Sequence, residues 1–542
     1  MPHDVAVLGV GNLKEGLITR PALSTVGQPH LDFTEMVGLL FDRLAADRRR
    51  GASWCCPGRS SAAARSETVV TSYANRRSAM PERPPNVIVV FTDQQRWDTT
   101  GAHGNPLGLT PNFDSMARTG THAVQAITPQ PVCAPARAAL QTGQYPTTTG
   151  CFRNGIPLPE HSRTLAHHFG AAGYATGYLG KWHLAGSDPV PPEERGGYGS
   201  WLGSNTLEFT SDAYRTVMYD EGGRPVLLPG YRSDALLDAA VRYAADHHAE
   251  PFYLFCSLIE PHHQNEVDSY PAPDGYAQRY QGRWMPPDLA ALSASGGSAH
   301  RHIGGYLGQI RRVDEGLGRL LDALRSMDLL DDTIVAFTSD HGNHFKTRND
   351  EYKRSCHDSS VRVPLAVRGP GFDGGRAIDT PVSTMDLAPT LLDAAGIGVP
   401  DDMQGRSFLP MVRDPGAEWP DEAYIQISEA ECGRAIRTSR WKYHVSAPDT
   451  DPWRRPSADR YIETALYDLA HDPYELDNLV GLASHRDLAD DLRERLLRRM
   501  AEADEPPAVI EPAPVRTHPQ RRVDPAVHGL TLKGARFGHQ RG

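Results

Sequence analysis

Four apolar runs in this sequence end in side chains that can ligate a metal or move a proton. Asp93 follows NVIVVFT, Lys181 and His183 close YATGYLGKWH, His262 and His263 follow FYLFCSLIEP, and Asp340 with His341 follows TIVAFTS. In open α/β sheets the ligand crevice lies outside the carboxyl ends of the strands, so residues there meet in space while remaining far apart in sequence. One such residue alone reads as the solvated end of a strand. Four runs ending this way point to a site. Asp93, Gln94, Asp340 and His341 would bring two carboxylates, an amide oxygen and an imidazole to one point. Oxygen-dominated ligation of that kind suits one divalent ion, Ca²⁺ first, with Mg²⁺ or Mn²⁺ also compatible. The bland alternative is that Asp340 caps the turn DHGN.

A second group stands at Cys133-x-Pro135-x-Arg137, just before a helical pattern. A helix N-terminus presents orphan amides and the positive end of the dipole, which favour anions. By composition alone Cys133 reads as a small buried apolar residue. Lysine is scarce: six lysines stand among 56 basic residues, and Lys181 and Lys353 are two of them. Where Arg is the default cation, a compact ammonium invites a local reason.

The elements that must position these residues read as α/β. Runs apolar throughout (86–91, 175–179, 252–259, 333–337, 363–367) alternate with helical stretches (164–172, 233–247, 311–327, 385–395), the pattern of a sheet buried on both faces. The expected fold is a three-layer α/β/α domain with a mostly parallel central sheet over residues 81–410. A smaller C-terminal α+β subdomain is expected over 411–505 and an extended or disordered, Pro-rich tail over 506–542. Residues 1–80 have linker-like composition in their second half and are expected to lie outside the functional fold. The formal charge, 56 − 67 = −11, argues against nucleic-acid or anionic-membrane binding. No stretch approaches the roughly 20 apolar residues of a membrane span. Seven scattered cysteines and no signal-like N-terminus point to the cytoplasm.

The string C-x-P-x-R followed by L-x-T-G resembles the signature of the type I sulfatases, within the alkaline phosphatase-like superfamily. NVIVVFTDQQRWD, TPNFDSMARTG, GYATGYLGKWH, a Pro-His after a strand, TSDHGN, VRVPL, RTSRWKYH and LYDLAHDPYELDNL follow the same order over about residues 84–480. The resemblance implies that Cys133 is oxidised to formylglycine by a maturation enzyme, and that its hydrated aldehyde is the nucleophile. It further implies a metal on Asp93, Gln94, Cys133, Asp340 and His341, and Arg137 holding the nucleophile. Lys181 and Lys353 are implied to bind sulfate, His183 to contact the nucleophile as a base, and His262 to protonate the leaving alcohol. His357 is a further candidate for substrate binding. Gln94 and His341 stand where many calcium-dependent relatives have Asp and Asn. The implied substrate is a sulfated saccharide or small aryl sulfate, with loops 189–212 and 264–298 setting specificity. The nearest alternative is a phosphonate monoester or phosphodiester hydrolase of the same superfamily. A pseudo-enzyme that binds anionic sugars and a transcription regulator are more distant readings, the latter because residues 1–45 resemble a C-terminal fragment of a lactose-repressor-family regulator.

Overall fold

In the computed structural model, residues 83–516 and 520–521 are described. The reading of residues 1–80, and most of the expected C-terminal tail, lie outside the described residues. Five parallel strands form the centre of a ten-stranded sheet: β1 (Asn86–Thr92), β2 (Ala175–Lys181), β3 (Ser200–Ser204), β4 (Phe252–Ser257) and β5 (Thr333–Ser339), in the order β5-β1-β4-β2-β3. Alternate residues of β1 feed two cores. Val87, Val89 and Phe91 pack with Ala134, Ala138 and Phe169 on one face, while Ile88 and Val90 pack with Leu236, Leu317 and Leu320 on the other. On the first side Ala134 and Ala138 lie on helix α1 (Cys133–Thr142) and Phe169 on the short helix Leu165–Ala171; on the second the partners lie on α2 (Arg232–Asp246) and α3 (Ser298–Ser326). The fold is the expected three-layer arrangement.

Register explains why the polar residues meet. Thr92 of β1 pairs with Ser339 of β5, so Asp93 and Asp340 leave neighbouring strands at one level. Phe91 and Gly180 both pair with Ser257, which sets Lys181 at the same rim. Gly180 adopts φ +104° against the Ser257 carbonyl, where a Cβ would lie 1.9 Å from that oxygen. Only glycine permits this approach.

Two boundaries differ from expectation. The run 363–367 divides at Pro364, which has no N–H to donate to a ladder. Arg362–Val363 joins a small separate sheet, and Leu365–Arg368 runs antiparallel to β5. Helix α3 begins at Ser298 instead of Arg311, because Gly304, Gly305 and Gly308 weaken its helical signal. Their absent side chains admit close packing: a Cβ on Gly305 would meet the Tyr270 carbonyl at 2.4 Å.

The C-terminal sheet contains β6 (Ala423–Ile427), β7 (Gly433–Arg437), β8 (Trp441–Ser446) and β9 (Arg460–Asp468), all antiparallel, with β10 (Val509–Glu511) parallel to β9. Helix α4 (Arg486–Glu502) covers it through Leu492, Leu496 and Met500. Because β10 completes this sheet, the tail expected from 506 is in its first part a strand. Pro content hid it; the pairing with Arg460–Ile462 fixes it.

A buried ion network joins this sheet to the segment that follows residues 340–357. Lys442 Nζ lies 2.5 Å from Asp358 Oδ1 and 2.6 Å from Glu475 Oε1, and Arg437 reaches Asp358 Oδ2 at 2.9 Å. Burial alone would raise the Asp358 pKa, yet Arg437 and Lys442 hold it well below the usual carboxylate range. Removing one partner of a buried pair strands the others. Lys442→Met is therefore expected to destabilise the protein by about 3–5 kcal/mol, read as a lower urea midpoint with an unchanged m-value.

Candidate functional site

The first turn of α1 delivers Cys133 to the rim between β1 and β5. It is buried, and Nε2 of His341 and Nζ of Lys353 stand 3.2 and 2.7 Å from its Sγ, with Asp93 Oδ1 at 3.8 Å. Burial would raise the thiol pKa, but Lys181, Lys353 and His341 outweigh it and hold it well below the ordinary value. Ligand atoms of Asp93, Cys133, Asp340 and His341 all lie within 4.8 Å of one another. Nδ1 of His341 faces the Gly342 carbonyl at 2.9 Å. With the proton on that nitrogen, the Nε2 lone pair is directed at the cluster, the arrangement that ligating histidines use.

Arg137 anchors the cluster from below. It donates to Asp93 Oδ2 at 2.9 Å, Asp340 Oδ2 at 3.2 Å, Ser257 Oγ at 2.7 Å and the Lys181 carbonyl at 3.0 Å. Its planar fork can serve both carboxylates at once. Burial and then the charge of Asp93 push the Asp340 carboxyl up to about 6. Asp93 moves the other way: burial and the nearby Cys133 would raise it, but Lys181, His262 and Arg137 hold it low. Two buried carboxylates beside an imidazole and a low-pKa thiol form a donor set that fits a divalent ion.

Lys181 is fully buried between Asp93 Oδ2 at 2.8 Å and Glu208 Oε1 at 3.0 Å. Glu208 escaped the sequence reading, since it lies on a single helical turn, Leu207–Thr210, too short to leave a period or spacing that marks it. Its carboxyl lowers to about 2: burial would raise it, but Lys181 and then His183 overcome that. His183 has φ +60°, and its Nδ1 is 3.7 Å from Glu208 Oε1. His262 Nε2 faces Lys353 Nζ at 3.3 Å and Asp93 Oδ1 at 4.0 Å, while its Nδ1 meets the His263 carbonyl at 2.6 Å. Burial lowers the His262 pKa.

Two expected residues are placed otherwise. The Gln94 amide oxygen accepts the His263 N–H at 3.1 Å and faces Asn343 Nδ2 at 3.4 Å and Tyr270 OH at 3.5 Å, enough donors to occupy both lone pairs. What Gln94 contributes to the cluster is its backbone N–H, which donates to Asp340 Oδ1 at 3.0 Å. The His357 ring meets Ser355 Oγ at 3.1 Å and Tyr467 OH at 3.2 Å, at the seam with the C-terminal sheet. Asn343 and His344 stabilise the loop: Asn343 Oδ1 accepts from the Phe345 N–H, and His344 meets the Lys353 carbonyl at 2.9 Å. A supporting clamp that the sequence did not disclose is Arg96, fully buried. It binds Asp98 and Asp288, and donates to the Asn343 carbonyl at 2.9 Å.

A family model described as Sulfatase matches residues 85–397, and one described as N-sulphoglucosamine sulphohydrolase, C-terminal, matches residues 350–502. An ulvan-active sulfatase of Formosa agariphila is 31% identical over 440 residues, covering 77% of this chain and 81% of its own. A solved structure in complex with its substrate D-glucosamine-2-N,6-O-disulfate matches with TM-score 0.63 at 23% identity, covering 78% of this chain and 98% of its own. The phosphonate monoester hydrolase of Agrobacterium radiobacter matches with TM-score 0.58 at 25% identity, covering 77% of this chain and 96% of its own.

Proposed function

The chain belongs to the sulfatase family and is a sulfuric ester hydrolase, and from that premise we propose that it desulfates a carbohydrate through a nucleophile derived from Cys133. The observation that carries this reading is the meeting at Cys133 Sγ of Lys353, His341 and Asp93. Sγ stands in for the attacking oxygen. Formylglycine, made by a maturation enzyme, would supply that oxygen as a hydrated aldehyde.

Asp93, Asp340, His341 and residue 133 would hold one divalent ion, Ca²⁺ before Mg²⁺ or Mn²⁺, which supplies Lewis-acid polarisation when bound. Gln94 moves from ligand to positioning residue, since its backbone orients Asp340. Arg137 fixes the two carboxylates relative to each other. Lys353, directed at Sγ, is placed to follow sulfuryl oxygens as their charge shifts. Lys181, tied to Asp93 and Glu208, sets the charge beneath them. With His262 Nδ1 donating to the His263 carbonyl, Nε2 lies beside Lys353 Nζ, placed to exchange a proton with the leaving oxygen. His183, beside Glu208, is assigned to the residue-133 side of the reaction as base. His357 is assigned to the seam and not to substrate.

The carbohydrate part of the proposal draws on the ulvan-active relative. The cytoplasmic assignment draws on cysteine state: Cys133, Cys151, Cys256, Cys356 and Cys432 are all unpaired and buried. No helix among the described residues is long and apolar enough to cross a membrane. The rival reading, a phosphonate monoester hydrolase, is motivated by the fold match at 25% identity. It is tested by comparing kcat/KM for sulfated saccharides, an aryl sulfate and an aryl phosphonate monoester on one converted preparation. A sulfate ester is expected to lead by at least about 100-fold, equivalent to ~2.7 kcal/mol of transition-state stabilisation. A phosphonate that matches or exceeds every sulfate would reverse the assignment.

A further inference from the structure

We propose that His263, Asp268 and His302 form a second cation site, separate from the Cys133 cluster, for a borderline divalent ion of the zinc class. Their ligand atoms lie within 4.8 Å of one another. Nε2 of His263 is 2.9 Å from Asp268 Oδ1, and Nε2 of His302 is 3.9 Å from the same oxygen. The His263 ring directs Nδ1 at Asn265 Oδ1, 3.1 Å away, and Nε2 also has the Tyr352 hydroxyl at 3.3 Å. In the tautomer that donates from Nδ1, the Nε2 lone pair is turned toward the Asp268 carboxylate at 2.9 Å, an arrangement that a cation between the two atoms satisfies. The second observation is independent. The His302 side chain is 10% exposed, and its Nε2 is buried with no hydrogen-bond partner. An unpartnered imidazole nitrogen beside a carboxylate is costly as it stands and well suited as a ligand.

The fold supports both sides of the group. Close packing of Gly305 on Tyr270 brings the second turn of α3, and with it His302, against the 264–270 loop. Asp268 occupies the left-handed region at φ +41°, in a turn closed by the Gln264 N–H to the Ser269 carbonyl at 2.8 Å. Two imidazoles and one carboxylate select a borderline ion over calcium. Around tetrahedral zinc the ligand atoms stand about 3.3 Å apart, so a small rotation of His302 closes the set. Asp268 is 63% exposed, which opens a path from solvent and leaves room for water as a fourth ligand.

The position has consequences for the reaction. His263 adjoins His262 and donates its N–H to Gln94, while the Tyr352 ring stacks on His263 at 4.5 Å and adjoins Lys353. An ion here would tie α3 to the two loops that carry His262 and Lys353. This consequence rests on the proposed function; the binding does not.

The test uses the full chain carrying Cys133→Ala, which removes the thiolate that would itself take zinc at the first centre, stripped with a chelator and saturated with calcium. Zinc is titrated in competition with a chromophoric chelator. This parent is expected to take up one zinc equivalent that Asp268→Asn and His302→Ala bind at least about tenfold more weakly. Zinc should also raise the melting temperature of the parent more than that of either variant. Asp268→Asn keeps the fold in reach, because Asn tolerates the left-handed conformation. Equal zinc uptake by the parent and Asp268→Asn overturns the proposal. So does a parent that binds no zinc, its His263–Asp268 contact then being an ordinary ring N–H to carboxylate hydrogen bond.

Discussion

Cys133→Ala is expected to remove turnover of every substrate by a factor of about 10⁴ or more, since no other group in the cluster can take over a covalent step. The fold should survive. Cys133 Sγ lies at the helix N-terminus among Lys353, His341 and Asp93 and contributes little apolar packing, whereas the sheet beneath is held by the alternating residues of β1. Melting temperature and far-UV circular dichroism are therefore expected to stay close to the parent's. The parent made alongside a maturation enzyme should carry residue 133 about 18 Da lighter than cysteine, the mass change of thiol to aldehyde. Peptide mass analysis reads this directly. A preparation that turns over while every copy of residue 133 remains a thiol would sink the nucleophile assignment, and leave the sulfatase membership untouched.

What sequence disclosed, and what it hid, follows from how each residue does its work. Asp93, Lys181, His262 and Asp340 were legible because a buried parallel strand is an uninterrupted apolar run, and a polar residue ending one stands out. Cys133 and Arg137 were legible through a local motif, four residues apart on one helix. Glu208 was not, since its role depends on the chain returning, through β3 and the single turn Leu207–Thr210, to meet Lys181, 27 residues away, and such a return leaves no period in sequence. Gln94 was located correctly at the rim, but its side chain turned to His263 and Asn343; adjacency in sequence to Asp93 does not fix a rotamer at φ +69°. His357 lies close in sequence to Lys353, yet the short helix Asp358–Val361 that follows leads the chain to the seam, where Tyr467 receives it. Tertiary packing also overrode propensity twice, at the glycine-rich first half of α3 and at the Pro-flanked strand Val509–Glu511.

Arg137→Leu is expected to cost both activity and stability, and the two losses should respond differently to calcium. Arg137 is the donor shared by Asp93 and Asp340. Its removal leaves two buried carboxylates facing each other, a change worth about 3–5 kcal/mol of stability when one partner of a buried ionic group is lost. The sign of the pH dependence follows from Asp340. Its folded pKa, pushed up to about 6 from 3.8, means that the folded protein holds a proton that the unfolded chain releases. For this group stability is greatest below pH 3.8 and declines as pH rises from there to about 6. Losing Arg137 removes an influence that lowers this pKa, so the decline should extend to higher pH in the variant. A divalent ion on the same carboxylates supplies the missing charge. Added calcium is therefore expected to raise the urea midpoint of Arg137→Leu above pH 6 more than that of the parent. Activity should recover far less, remaining about 10²-fold or more below the parent, because an ion cannot reproduce the donations to Ser257 and the Lys181 carbonyl that hold the strand ends in place. Arg137→Lys should fall between, since one ammonium cannot serve both carboxylates and both neighbours in a single geometry. An Arg137→Leu protein that keeps kcat within about tenfold of the parent would show that the two carboxylates need no shared donor for the reaction.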